Sequence, residues 1–435
     1  MIGVNGPVLH PGEAGYDVER DGFQLAGQHR PEVIVGATEV ADVRAAVEYA
    51  AARNLPVAVQ ATGHGLAVPA ENGVLVSTRT MTGVRVDAAA RTARLEAGVR
   101  WQQVIEEAAR HGLAPLSGSS PHLGAVGYTL GGGLGLLARR YGYAADHVRA
   151  VELVTADARP RRLTPDDELF GALLGGGGNF GVVTGMDIGL VPVSRVYGGG
   201  LYFPATADIV EAWRNWTATV PDELTSGIGL VPLPDLPMVP EPLRGRHVAH
   251  IKIVYTGDPM SGERLVTPLR AAGPVLMDTL GDLPFTESGS VSNDPTFAHA
   301  YTGASAMLDE LDVATVFDMA GPCAAIPCVL QVRHLGGALS KPSAAVIGHR
   351  ETRYALHVVS GLEGFDPAAV RASHQHLLGA LKSSGTFLNF HYGPATVEQV
   401  RAAYDPDTYR GLARLKAAYD PANLFRLNHN IPPAW

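Results

Sequence analysis

The residues best suited to chemistry in this chain lie in three glycine-rich segments: Gly63-His64-Gly65, Gly124 to Gly135, and Gly175-Gly176-Gly177-Gly178-Asn179-Phe180-Gly181. Glycine has no Cβ, so backbone N–H groups in such segments can approach and cradle phosphate oxygens. One such loop says little, but three in one half of a chain point to a large phosphorylated cofactor. His64 stands out among them. A lone loop histidine is usually satisfied by a backbone hydrogen bond. An imidazole between two glycines, at the mouth of a strand and beside a phosphate cradle, can instead reach the edge of a cofactor ring, and when neutral it is a competent nucleophile. The third segment contains G-x-G-x-x-G, from Gly176 to Gly181. A dinucleotide fingerprint needs a strand before it, a helix after it and an acid about 20 residues on. Here loop and helix signals over Leu163 to Leu174 precede it and a strand, Val182-Val183-Thr184, follows, so the order is inverted and that motif is rejected.

The chain that must position these residues has 435 of them, beyond the usual ceiling for one core, so two domains are expected. Hydrophobic residues make up 46% and charged residues 18%, enough apolar material for sizeable cores and against disorder. The net charge of −9, with no basic run, argues against nucleic acid or an anionic membrane as partner. Only Cys323 and Cys328 occur, which leaves no material for a disulfide scaffold or a cysteine zinc site, and no metal is expected. Both cysteines read as small buried apolar residues. The first residues lack a basic start and an apolar run of signal length, and no apolar stretch is long enough to span a bilayer. A cytoplasmic, reducing location is the simplest expectation.

Strand and helix signals alternate from Pro31. Glu32 to Val35 is a short β-prone run. Val43, Ala46, Val47, Ala50 and Ala51 then recur at helical spacing until Asn54 and Pro56, and Val57 to Gln60 is a buried strand opening into the His64 loop. Gly73 to Thr78 is another strand, and Val84–Val86 with Arg94–Glu96 suit a hairpin around Asp87 to Thr92. A helix follows with Trp101, Val104, Ile105 and Ala108 on one face, ended by Gly112 and Pro115. Beyond Pro192 longer alternating strands appear, at His247 to Tyr255, Cys328 to Arg333 and Ala344 to Val358, with helical stretches such as Ile209 to Trp216 between them. That pattern predicts an antiparallel sheet with helices on one face, hence a second domain. Thr396-Val397-Glu398-Gln399 is a capping box opening a last helical region.

Four motifs, in order, resemble one family. Gln60-Ala61-Thr62-Gly63-His64-Gly65 resembles the pyrophosphate loop of berberine-bridge-enzyme-like flavoproteins, within the vanillyl-alcohol-oxidase superfamily and its p-cresol-methylhydroxylase-type FAD domain. Gly118-Ser119-Ser120-Pro121-His122-Leu123-Gly124-Ala125-Val126-Gly127-Tyr128-Thr129-Leu130-Gly131-Gly132-Gly133 resembles the second FAD segment, and Gly178-Asn179-Phe180-Gly181-Val182-Val183-Thr184 the third. Tyr419 to Arg426 and Asn428-His429-Asn430-Ile431-Pro432-Pro433 resemble the closing motif that returns to the flavin. The resemblance covers most of the chain. It implies an α+β, two-domain fold: a mixed α/β FAD-binding domain over residues 1–198, a substrate domain on an antiparallel sheet over 199–394, and a return segment, 395–435, completing the first.

The same resemblance implies an FAD-linked oxidase of a small organic molecule, of alcohol, phenolic or polyketide type and belonging to secondary metabolism. Hydride would pass from a substrate carbon to flavin N5, and O2 would reoxidise the flavin to give H2O2. A dehydrogenase with another acceptor, a ligand-sequestering protein and an electron-transfer subunit are the other readings. The cofactor would be FAD, covalently held through His64 alone. Some members add a second bond from a cysteine, but the matching position here is Ser120, whose hydroxyl is a poor substitute for a thiolate. FAD contacts would come from Gln60 to Gly65, from Gly118, Ser119, Ser120, Leu123, Gly124, Gly127, Tyr128 and Gly131, and from Gly181, Val183, Asn389, Asn428 and Asn430. Two positions where many members carry tyrosine are Phe387 and Phe390, which excludes a tyrosinate base at either. On a strand from His349 to Val358, alternation puts His349, Glu351, Arg353, Ala355 and His357 on one face. His357 falls where the resemblance places a glutamate or glutamine facing the flavin, and there it could take a proton near neutral pH. The other reading is a histidine on the solvated face of an edge strand. Tyr392 is the further catalytic candidate.

Overall fold

Four short, valine-rich runs build the first sheet of the computed structural model, which describes residues 2–434. Strands β1 (Val8–Leu9), β2 (Val33–Gly36), β3 (Val57–Gln60) and β4 (Val74–Ser77) lie in the order β1-β2-β4-β3, with β1 antiparallel and the other pairings parallel. Val33, Val35, Val74 and Val76 are fully buried and pack with Val43, Ala46, Val47 and Ala50 of the helix Val40–Arg53. That helix stops where Asn54 adopts a left-handed φ of 54° and its N–H bonds back to the Ala50 and Ala51 carbonyls.

A second sheet, antiparallel throughout, follows: β5 (Val84–Asp87), β6 (Thr92–Glu96), β7 (Val148–Val154), β8 (Pro160–Leu163) and β9 (Val182–Gly189), in the order β5-β6-β9-β7-β8. The expected hairpin is the β5–β6 pair. The helix Trp101–Ala109 buries Trp101, Val104, Ile105 and Ala108 in the largest apolar cluster, as its spacing requires. Around the third glycine segment the helix Glu168–Gly176 comes first and β9 second, so the inverted order read from the sequence is the order in the fold.

The second half forms a nine-stranded antiparallel sheet from β10 (Arg195–Pro204), β11 (Leu224–Pro232), β12 (His247–Tyr255), β13 (Met277–Asp278), β14 (Gly281–Pro284), β15 (Tyr301–Leu308), β16 (Val329–His334), β17 (Tyr354–Gly361) and β18 (Ser383–Gly385). The order is β13-β10-β12-β11-β16-β17-β15-β18, with β14 also on β10. Period-2 alternation sends Ala249, Ile251, Ile253, Leu330, Val332, Leu356 and Val358 to one face. There they meet Ile209, Trp213, Val266, Val316 and Leu377 of the helices Ala207–Thr217, Pro259–Arg270, Val313–Ala320 and Pro367–Ala380. The fold is therefore the two-domain α+β arrangement, with helices on one face of the antiparallel sheet. The opposite face turns toward the glycine segments.

Three expectations change. The last long strand begins at Tyr354 rather than near His349: His349 sits in a turn at a positive φ of 58° and bonds the Ala402 carbonyl through Nε2, which ends the alternation early. That strand is not an edge, since β16 flanks it on one side and β15 on the other. Of the cysteines, Cys328 is buried but Cys323 is exposed.

The two halves are joined by charged side chains and by the returning C-terminus. Arg139, only 5% exposed, donates to the Leu224 and Leu335 carbonyls and pairs with Asp222, and Arg350 pairs with Asp146 at 2.7 Å. The capping box at Thr396 is formed with Gln399 and opens the last helices. Val400, Tyr404, Leu412 and Ile431 then enter the same cluster as Trp101, and the Val57 N–H donates to the Leu424 carbonyl at 3.0 Å. Within this return, Lys416 and Asp420 are both fully buried and 2.6 Å apart. Removing one member of such a pair leaves an uncompensated buried charge. Lys416→Ala should therefore lower unfolding stability by about 3–5 kcal/mol in denaturant titration, whereas an exposed control such as Lys382→Ala should lie within about 0.5 kcal/mol of the parent.

Candidate active site

A cavity of about 600 Å³ separates the glycine segments from the polar face of the large sheet. Known ligand pockets span about 300–1,000 Å³ and favour domain interfaces. Strand β3 ends at Gln60 and the chain turns at Gly63, whose φ is +68° and where a Cβ would stand 2.5 Å from the Gly22 Cα, so only glycine fits. This close turn presents His64 to the cavity. Its ring stacks on Phe23 (centroids 3.9 Å apart, planes 8° apart), its Nδ1 lies 2.9 Å from the Thr62 hydroxyl, and Tyr301 donates its hydroxyl to the His64 carbonyl at 2.7 Å. Nε2 is buried with no partner. Burial, reinforced by Arg100, holds the imidazole pKa down to about 4, so the ring is neutral at pH 7 and keeps a lone pair.

The other residues read as cofactor contacts divide by their local work. Thr62 accepts from the Gly124 N–H at 3.2 Å, tying the first glycine segment to the second. The Gln60 amide donates to the Arg20 and Asp21 carbonyls. Asn389 donates to the Tyr128 carbonyl at 2.9 Å, and a Cβ on Gly131 would collide with its Oδ1. Gly181 passes so close to β7 that a Cβ would stand 2.6 Å from the Val154 oxygen. Tyr128 packs edge-on to Trp101, its hydroxyl is buried without a partner, and burial raises its pKa. These residues, with Ala61, Gly65, Gly118, Ser119, Ser120, Leu123, Gly127, Val183 and Asn428, all line the cavity. Asn430 does not. One residue beyond the cavity-lining His429, its side-chain oxygen is buried without a partner elsewhere.

The facing wall is the sheet. His357, 7% exposed, stacks on Phe390 at 4.7 Å and meets Tyr392 edge-on at 5.3 Å; its Nε2 has no partner. It is thus neither solvated nor on an edge. Burial, then the charges of Arg333, His374 and Lys252, push its pKa down to about 3. A ring so reluctant to take a proton is a neutral hydrogen-bonding group at pH 7, which corrects the expectation of a base poised near neutrality. Burial likewise pushes the Tyr392 phenol up to about 12, against a standing phenolate. Phe23, Asp294, Tyr301, Gln331 and Arg333 also line the cavity and were not singled out from the sequence. Gln331 and Arg333 were within reach of it: they alternate on the predicted strand Cys328 to Arg333. The contact of Phe23 with His64 spans 41 residues and left no local signal.

The glycine wall suits an elongated phosphorylated cofactor. Cβ atoms built on Gly65, Gly127 and Gly177 would meet nothing within 4 Å, so open space is kept where side chains would otherwise project, and His64 Nε2 and Asn428 Oδ1 stand buried and unpaired beside it. Residues 31–164 match the family model of an FAD binding domain, and residues 398–432 that of berberine and berberine-like proteins. The (R)-6-hydroxynicotine oxidase of Paenarthrobacter nicotinovorans is 27% identical over 99% of this chain and 98% of its own. The crystal structure of 6-hydroxy-D-nicotine oxidase from Arthrobacter nicotinovorans superposes with a TM-score of 0.84 at 23% identity, covering 100% of this chain and 99% of that one. A chitooligosaccharide oxidase superposes at 0.85 and 20% identity, covering 99% and 98%. Fold, site and family matches together define an FAD-linked oxidoreductase. Within that class, the chain carries an FAD binding domain and a berberine-like C-terminal segment, and its relatives are FAD-linked oxidoreductases similar to the berberine-bridge-enzyme-like flavoproteins. Because Gly127 is exposed toward the cavity with nothing near its Cβ direction, Gly127→Leu should fill cofactor space. The purified variant should show a several-fold lower ratio of flavin to protein absorbance while its apoprotein unfolds cooperatively as the parent does.

Proposed function

We propose that this protein is an FAD-dependent oxidase of a small organic molecule, with residues 1–198 and 395–435 holding the cofactor, 199–394 holding the substrate, and His64 as the single covalent attachment. The observation that carries this reading is the pair of unpaired imidazole nitrogens, on His64 and His357, on opposite walls of one cavity. FAD bound there supplies a two-electron acceptor. Several similar proteins are named as oxidases, of 6-hydroxynicotine, chitooligosaccharide and xylooligosaccharide, against one glucose dehydrogenase, and this favours an oxidase. In the net reaction the substrate loses a hydride from carbon and a proton from the adjoining O–H or N–H, and O2 takes up both hydrogens and both electrons as H2O2.

The chain's own residues contribute position and polarity. His357 Nε2 accepts a hydrogen bond from the substrate's O–H or N–H and so orients the neighbouring C–H. Phe390 and Tyr392, packed on the ring, fix its plane and exclude water. At His64 the neutral ring is the nucleophile. With FAD bound, His64 would be the residue that holds the flavin at its 8α-methyl carbon, and O2 would be the oxidant that such an attachment needs. Ser120 lines the cavity, and its hydroxyl is too poor a substitute for a thiolate to add a second bond.

Two results test the proposal. Flavin should stay with the denatured polypeptide, and peptide mass spectrometry should place its mass on the peptide containing His64 alone; His64→Ala should release it and Ser120→Ala should not. Flavin lost from the denatured parent would remove the covalent bond from the proposal. His357→Leu, which removes the acceptor that a glutamine would keep, should lower the rate of H2O2 release by about 10² with the flavin spectrum intact, and an unchanged rate would move that role to Tyr392.

A further inference from the structure

Arg333 is the one large cation on the cavity wall for which the fold provides no counter-charge. Among the described residues its guanidinium donates no hydrogen bond and forms no ion pair, and its buried Nε has no partner. The two most enclosed arginines have acids, Arg139 with Asp222 and Arg350 with Asp146, while half-buried Arg244 and Arg426, which form no ion pair among the described residues, donate to backbone carbonyls instead. Native structures seldom leave such donors idle unless a ligand uses them. Lys252 adds a second positive charge on the same face. Register places Lys252 opposite Gly227 and Gly227 opposite Arg333, so the residue between the two cations has no side chain. Among the described residues the one hydrogen bond of Lys252 Nζ is to Gln331 Oε1, at the outer limit of 3.5 Å. Asp294, the carboxylate whose charge reaches Lys252, is already hydrogen-bonded by the Ser119 hydroxyl at 2.5 Å. Two cations therefore face one occupied carboxylate.

Resting on the oxidase reading above, we propose that the substrate carries a carboxylate, received by the Arg333 guanidinium with Lys252 behind it. The guanidinium lies over the Phe390 ring, 5.2 Å from its centroid, and that ring also stacks on His357. One aromatic side chain thus contacts both the anion receptor and the imidazole that meets the reacting O–H or N–H. A planar guanidinium held this way suits the two oxygens of a carboxylate better than a point charge would. Phe390, which touches both polar groups, and Tyr392 beside His357 give this part of the wall an aromatic surface, which fits a flat body such as an aromatic acid. The anion would also offset two of the charges that depress the His357 pKa, making the ring a better acceptor when substrate is present.

Benzoate and its neutral isostere benzamide are the probes, titrated into FAD-loaded enzyme and followed by the visible flavin band and by the unfolding midpoint. Benzoate should bind at least about tenfold more tightly than benzamide. Arg333→Gln should abolish that preference, Arg333→Lys should retain part of it, and both should keep the parent's FAD content. Equal binding of the two probes overturns the proposal, as does no response to about 10 mM benzoate by either readout. Loss of FAD from Arg333→Gln overturns it too, because the guanidinium then serves the cofactor. The oxidase reading fails separately: a protein that prefers benzoate through Arg333 yet releases no H2O2 from any acid keeps the receptor and loses the oxidase. Undiminished oxidation of an acid substrate by Arg333→Gln does the reverse.

Discussion

The buried ammonium of Lys416 holds together the wall on which this site is built. It donates to the Asn179 carbonyl at 2.6 Å, to Asp420 Oδ2 at 2.6 Å and to the Phe425 carbonyl at 3.0 Å. Asp420 in turn accepts from the Leu424 and Phe425 N–H groups, and Asn179 Oδ1 accepts from Ile431. One cation thereby fastens the third glycine segment to a return strap more than 200 residues away. The strap meets β3 just before the His64 loop, through Val57 and Leu424. Burial pushes the Lys416 pKa down while Asp420 holds it up. Without those partners the desolvation cost would be unmet. Glycine segments are permissive by nature, and it is this contact that makes their shape definite.

The second constraint is electrical. Burial holds His64 and His357 neutral at pH 7, with pKa values pushed down to about 4 and about 3. Each keeps a nitrogen free for bonding, while the positive charge on the cavity wall sits on Arg333, with Lys252 behind it. Neutral imidazoles and uncompensated cations do different work: the first can share a lone pair with a ring or a substrate, and the second can hold an anion. Tyr301 links them. It bonds the His64 carbonyl and meets Tyr392 edge-on at 5.2 Å, and Tyr392 packs against His357. The His64 loop and the polar face of the large sheet are thus joined by a chain of aromatic contacts.

Much of this was legible in the sequence because it is local. Helix ends announced themselves at Asn54 and Thr396, alternation separated the apolar and polar faces at Ala249 to Ile253, and the inverted order around Gly176 to Gly181 ruled out a dinucleotide fingerprint. The glycine loops and His64 were legible for the same reason, since a positive φ or a close backbone approach leaves a residue-type signature at the position itself. The error at His349 to Tyr354 has a local cause as well: alternating residues there look like strand, but a left-handed turn and a bond to Ala402 stop the ladder before it starts.

Whether His357 was solvated or enclosed could not be read from its own strand. Period 2 assigns a residue to a face, while burial depends on what packs against that face, here Phe390 and Tyr392 from a segment more than 30 residues away. The same limit explains Phe23, Arg333 and Asn430. Phe23 stacks on His64 and Arg333 lacks an acid only once distant segments have met, and Asn430 leaves the cavity wall although its neighbour His429 is on it. The sequence by itself determined the element types, the cofactor class and the loop that offers His64, because those rest on backbone geometry within a few residues. Tertiary structure alone decided which side chains are desolvated and which charges go unpaired, because desolvation and pairing are set by neighbours in space.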